Sequence, residues 1–317
     1  MQATAQYTDL GHGISLIDAE YLYPDVVAVY LLQQHDQLAI IETGTANSAT
    51  NILAVIDSLG LSADNVAFII PTHVHLDHAG GAGELMQRCQ NAQLVIHPYG
   101  ARHMIDPSKL IAGTIAVYGE EKFKQLYGEL KPIDAQRVIE APDNFELTLG
   151  ERPLRFLDTP GHARHHFCVY DEGSEGIFTG DTFGLCYRKL LTEAGPFIFP
   201  TTTPVQFDPP ALLQSIDRLM ALKPKQMYLT HFGPIEPTDA VVAQLKQRIH
   251  DLTQIALAEK HSNGDRLQNI ERRLRDYLLA ELATMQCHQS AAFCEQFLRN
   301  DISLNAQGLD IWLEKNT

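Results

Sequence analysis

Three short apolar runs open the chain, at 14–21, 26–34 and 37–43, rich in β-branched and aliphatic residues. The polar turns Tyr23-Pro24-Asp25 and His35-Asp36 separate them, which predicts an antiparallel meander. The period then changes. Ile52, Val55, Ile56 and Leu59 share one helical face over 48–59, with Gly60 as the stop. Residues 66–71 form a continuous apolar run, as in a strand buried on both faces. A helix over 83–89, a strand over 93–97 and a mostly helical stretch over 101–130 follow. A second block of strands is predicted at 137–141, 145–149, 154–159, 167–170 and 176–179, then a helix over 210–222 and a strand over 226–229. The order of strands, helix and strand thus occurs twice, without an internal sequence repeat. Two sheet-and-helix halves of this kind imply an α/β (α+β) protein built as an αβ/βα sandwich.

Beyond about 238 the strand pattern stops, and 239–261, 266–284, 288–299 and 307–315 read as helices, broken at Asn263-Gly264-Asp265. Two domains are therefore expected: a sandwich over 1–238 and a helical C-terminal subdomain over 239–317. Leu267, Ile270, Leu274, Tyr277, Leu278 and Leu282 make an apolar stripe. The stripe would pack on the main domain or on a partner subunit, the latter giving a homodimer through the C-terminal helices. On the same helix Arg266, Arg272, Arg273 and Arg275 are interspersed with Glu271, Asp276 and Glu281, the pattern of a solvated face.

Composition narrows the function. The 317 residues carry a formal net charge of −15, which repels phosphate backbones, so no nucleic-acid partner is expected. The five cysteines are scattered with no CxxC pair and read as reduced thiols. No basic segment followed by an apolar run stands at the start, and no stretch of about 18 apolar residues occurs. A cytoplasmic location without a membrane span is the expectation.

The candidate chemistry lies in Pro71-Thr72-His73-Val74-His75-Leu76-Asp77-His78-Ala79-Gly80-Gly81, directly after the apolar strand. In extended chain, residues two apart point the same way, so His73 and His75 can converge on one ion. The chain then turns into a helix start, where Asp77 and His78 can face a second ion. Histidine and carboxylate suit zinc, iron and manganese. Three further strand ends carry the same residue types: Asp158-Thr159-Pro160-Gly161-His162, Phe178-Thr179-Gly180-Asp181-Thr182 and Tyr228-Leu229-Thr230-His231-Phe232-Gly233.

HVHLDH, TPGH, GDT and THFG, in that order, resemble the metallo-β-lactamase superfamily over roughly residues 10–235. The resemblance implies that His73, His75 and His162 bind one metal, that Asp77, His78 and His231 bind the other, and that Asp181 bridges them. It implies two divalent ions, with zinc first and iron or manganese as alternatives. The complete ligand set is similar to that of glyoxalase II, lactonases, phosphodiesterases and flavodiiron proteins, rather than true β-lactamases. Many members carry Asp-Thr-Gly at the early strand, where this chain has Glu42-Thr43-Gly44; Glu42 is expected to orient the metal loop in that place.

A metal-dependent hydrolase follows, in which a metal-bridging hydroxide attacks a small ester, thioester or lactone. Asp77 would orient the nucleophile and pass a proton to the leaving group. The alternatives are a phosphodiesterase for small phosphoesters and a non-hydrolytic di-iron redox or sensor protein. Of the other candidates, His166 reads as an outer neighbour of the ligands. His165 reads likewise, and His97 as a structural residue, with substrate contact as the alternative. Tyr187 and Arg188 lie in the aromatic, Pro-rich segment 184–207 that includes Pro196, Pro200 and Pro204, and are the candidates for substrate contact, with a packed loop as the alternative. His12 and His103 are set aside as ordinary packed or surface residues.

Overall fold

The computed structural model describes residues 6–202, 205–262 and 264–316. Pro204 and Asn263, both noted above, and the first five residues lie outside the described chain. Two compact bodies are present. One takes in the chain up to Asp158 with His165–Gly180 and Lys225–Ile235; the other takes in Thr159–Arg164, Asp181–Pro224 and the chain from Glu236.

The first body holds both sheets. One sheet runs in chain order: β1 (Thr8–Asp9), β2 (Ile14–Asp18), β3 (Ala28–Gln34), β4 (Gln37–Ile41), β5 (Val66–Ile70), β6 (Gln93–Ile96) and β7 (Val138–Glu140). β1 to β4 are the antiparallel meander, and β4 to β7 are parallel. The other sheet has the order β13 (Gly233–Ile235), β12 (Gln226–Leu229), β11 (Gly176–Gly180), β10 (Phe167–Asp171), β9 (Arg152–Asp158), β8 (Glu146–Leu149). Only β11 and β12 are parallel there. The sheets meet through Tyr30 of β3. Its ring lies edge-on to Phe178 at 5.2 Å and to Tyr228 at 5.7 Å, and its hydroxyl donates to the Leu229 carbonyl.

The helices of this body are α1 (Ala49–Ser58), α2 (Leu76–Ala79), α3 (Ala82–Arg88), α4 (Pro98–Ile105), α5 (Ser108–Tyr118) and α6 (Glu120–Tyr127). The stretch read as mostly helical over 101–130 is thus three helices. Pro107 ends one, and Gly119, at φ +81°, ends the next. The second body carries α7 (Pro209–Ala221), α8 (Asp239–Ala258), α9 (Arg266–Thr284), α10 (Ala291–Phe297) and α11 (Arg299–Lys315). Asp208, Thr238, Asp265 and Ser290 accept backbone N–H groups at the starts of α7 to α10; α8 and α9 begin where expected, while α10 begins at Ala291 rather than 288 because Ser290 caps it. α11 begins well before the expected 307, because Asn305, an unfavourable helix former, is held inside it by Thr202 and the Pro200 carbonyl. Ile270, Leu274, Leu278 and Leu282 of the α9 stripe are buried, and α9 packs on α8, α10 and α11. Buried Arg248 of α8 lies 4.1 Å over the Phe197 ring and donates to the Ile198 carbonyl and to Glu281. It ties the segment after Asp181 to the helices of its own body.

These elements form the expected αβ/βα sandwich followed by C-terminal helices. No helix among the described residues is long and apolar enough to cross a membrane.

Arg152, at the head of β9, grips Asp171 of β10 with Nε to Oδ1 at 2.6 Å and Nη2 to Oδ2 at 2.5 Å. Both residues are buried, and Asp171 also accepts from the Gly173 and Ser174 backbones. Arg152→Ala leaves a buried carboxylate without its cation and should cost about 3–5 kcal/mol. A urea-unfolding midpoint within error of wild type would show that this pair is not the clamp described.

Candidate metal centre

β4 and β5 are parallel, so the residues that follow them emerge at one end of their sheet: Glu42-Thr43-Gly44 after β4, and Pro71 to Gly81 after β5. The two segments interlock. Thr43 Oγ1 donates to the His78 carbonyl at 2.6 Å, and Thr43 N donates to the same oxygen at 2.8 Å. A Cβ on Gly81 would stand 2.4 Å from the Thr43 carbonyl oxygen, so only glycine lets the second segment lie against the first. His75, in extended conformation, caps α2, whose first turn carries Asp77 and last turn His78.

Glu42 organises the group. Its carboxylate is buried and accepts four hydrogen bonds: Thr72 N at 3.1 Å, Thr72 Oγ1 at 2.6 Å, Thr230 Oγ1 at 2.9 Å and His78 Nδ1 at 3.0 Å. Its backbone sits at φ +64°, a conformation uncommon outside glycine, which the four bonds over-determine.

The histidine tautomers follow from these partners. A carboxylate only accepts, so His78 Nδ1 carries the proton and Nε2 the lone pair. His231 Nδ1 lies 2.8 Å from the Val26 carbonyl and must donate to it, leaving its Nε2 lone pair as well. The two Nε2 atoms are 3.4 Å apart, and Asp77 Oδ2 lies 3.7 Å from one and 3.6 Å from the other. Two ring lone pairs and a carboxylate oxygen thus converge within 4.8 Å. This donor set fits a divalent cation, with each ring orientation fixed from behind.

Beside it, the Thr72 hydroxyl gives its proton to Glu42 and therefore accepts from His73 Nδ1 at 3.1 Å. That directs the His73 Nε2 lone pair toward His75 Nδ1, 2.8 Å away. His166 is buried with its ring centroid 4.9 Å from that of His73, and His165 stacks farther off at 6.1 Å. In the other body His162 Nε2 is 3.3 Å from Asp181 Oδ2, and His162 Nδ1 faces the Thr201 carbonyl at 3.3 Å. Gly161, at φ +132°, presses against the backbone of Leu212 with no room for a Cβ, and this sets the turn that carries His162. Tyr187 is buried there, its hydroxyl 3.0 Å from Asp301, while Arg188 is exposed at the start of a short 3-10 turn. His97 caps α4 by accepting from Tyr99 N, which places its proton on Nε2, 3.2 Å from Asp158 Oδ1.

Thr72 and Thr230 support the site without being metal-ligand residue types themselves. Their signal in the sequence is position: a threonine stands directly before His73 and before His231, and each hydroxyl reaches Glu42.

The sequence model of the Metallo-beta-lactamase superfamily matches residues 22–231, more than half of the chain. The chain is 30% identical over 219 residues to the metallo-beta-lactamase fold-containing protein ST1585 of Sulfurisphaera tokodaii, covering 68% of this chain and 76% of that one. A solved structure of ST1585 from Sulfolobus tokodaii matches with a TM-score of 0.66 at 26% identity, covering 94% of this chain and 98% of that one. An N-acyl homoserine lactonase of Bacillus thuringiensis is 24% identical over 230 residues, covering 64% of this chain and 79% of the lactonase. A hydroxyacylglutathione hydrolase of Shewanella baltica is 29% identical over 170 residues, about half of each chain at 53% and 51%.

Glu42→Gln keeps the side chain's size but replaces one acceptor oxygen with a donor. It should weaken metal binding about 10- to 100-fold, measured by competition with a chromogenic chelator. Unchanged affinity would show that Glu42 does not orient the ligands.

Proposed function

The chain belongs to the metallo-beta-lactamase superfamily, and from that premise we propose that it is a binuclear metal-dependent hydrolase of a small ester, thioester or lactone. The observation that carries this reading is the convergence of His78 Nε2, His231 Nε2 and Asp77 Oδ2, with both ring tautomers fixed by hydrogen bonds behind them. We assign His73, His75 and His162 to one ion, Asp77, His78 and His231 to the other, and Asp181 to both, on the motifs that carry them. The donors suit zinc best, and iron or manganese also. Two such ions supply Lewis acidity for a carbonyl oxygen and lower the pKa of water toward neutrality.

The protein's own part is positioning and proton handling. His78 is fully buried and tied to Glu42, so its ring cannot swing. Asp77 is the most exposed of the three converging side chains, at 25% against 0% for His78 and 6% for His231. Its carboxylate is therefore the one placed to hold a proton and deliver it to a departing alkoxide or thiolate. The choice of acyl substrates draws on two relatives, the lactonase and the hydroxyacylglutathione hydrolase, and on the net charge of −15, which disfavours long polyanions.

Three chromogenic probes, a thioester, a lactone and a phosphodiester, presented to the zinc-loaded chain test the reading. Turnover of the thioester or the lactone is expected, with Asp77→Ala slower by about a hundredfold or more when the two proteins are compared at equal metal content. Full turnover by Asp77→Ala would remove the proton-transfer role. Turnover of the phosphodiester alone would replace the acyl-hydrolase reading.

A further inference from the structure

Two sulfurs stand together in the helical body, on residues that carry none of the roles assigned above. Cys287 Sγ and Cys294 Sγ are 3.8 Å apart. A disulfide needs about 2.0 Å between sulfurs, so a modest movement of the two side chains would join them. Cys287 lies in the turn after α9 and is partly exposed; Cys294 lies in α10 and is buried. We propose that Cys287 and Cys294 form a reversible, peroxide-sensitive dithiol, a modification site distinct from the metal centre.

The two thiols have unequal roles. Burial, reinforced by the neighbouring Cys287, pushes the Cys294 thiol up to about 12, so it stays protonated. Cys287 meets solvent and reacts first. Its thiolate attacks hydrogen peroxide, the O–O bond breaks, and a sulfenic acid and hydroxide result. The Cys294 sulfur then attacks the Cys287 sulfur and displaces its hydroxyl, which leaves as water with the Cys294 proton. Overall two thiols are oxidised to a disulfide and one peroxide is reduced to two waters.

The site is wired to the segment that follows Asp181. His288 N donates to the Leu191 carbonyl at 3.1 Å, and Glu193 N donates to the Gln286 carbonyl at 3.3 Å. Thr192 pairs with Cys287 in an isolated antiparallel bridge, and His288 Nε2 lies 3.1 Å from Glu193 Oε1. Oxidation therefore fixes the turn that holds residues 191–195. The other cysteines are unlike this pair: Cys168 is buried and donates to the Thr179 carbonyl, and burial holds the Cys186 thiol up at about 12.

The test is peroxide treatment of the native, zinc-loaded full chain, alkylation, and mass analysis of the tryptic peptide 276–299, bounded by Arg275 and Arg299. The expected result is loss of both alkylation adducts with loss of two hydrogens, restored by a dithiol reductant. Cys287→Ser and Cys294→Ser should each abolish the cross-link, and Cys186→Ser should leave it intact. Two alkylatable thiols after treatment, over-oxidation of Cys287 without a cross-link, or disulfides only between chains would each overturn the proposal.

Discussion

A buried carboxylate must find donors, and Glu42 finds them on two separate stretches of chain, the segment after β5 and the end of β12. Removing such a charge from water costs several kcal/mol unless it is fully hydrogen-bonded. The cost is met only when β4, the segment after β5 and the end of β12 come together in one register. Thr72 reaches Glu42 from the metal loop, His78 from the helix that follows, and Thr230 from the other sheet. One side chain thus couples the closure of the sandwich to the aim of its histidines.

That coupling fixes the orientation of the candidate ligand cluster. His78 and His231 are each anchored through Nδ1, one to a carboxylate and one to a backbone carbonyl, so both present Nε2. Ring lone pairs pointed at each other and at a carboxylate oxygen favour a cation, and binding of such a cation would contribute to the stability of the fold. The same logic extends to His73, whose Nδ1 proton is taken by the Thr72 hydroxyl that Glu42 itself orients. A shared outer partner behind two histidines also means that their orientations are not independent, and single substitutions there should behave non-additively.

Much of this is legible in the sequence because its signals are local. The apolar run before Pro71 announces the buried strand, the change from period 2 to period 3.6 announces α1, and the helix starts at 239 and 266 are marked by Thr238 and Asp265. The metal loop stands out by residue type at fixed spacing. Other features rest on long-range partners. The short strands β1 and β13 exist only through pairing with β2 and β12, so no pattern of their own marks them. The positive φ of Glu42 and the roles of Thr72 and Thr230 depend on residues about 30 and 188 positions apart. The start of α11 was hidden by Asn305, whose side chain is satisfied by Thr202 and Pro200, about a hundred residues earlier in the chain.

We propose that Asp77, His78 and His231 hold a divalent cation of their own. Metal content per chain, measured by plasma mass spectrometry after apo-protein is reloaded with zinc and freed of excess, tests it most directly when wild type is compared with a His78→Ala/His231→Ala double variant. About two ions per chain are expected in wild type and about one in the variant. Equal stoichiometry in the two proteins, with the variant still folded, would contradict it.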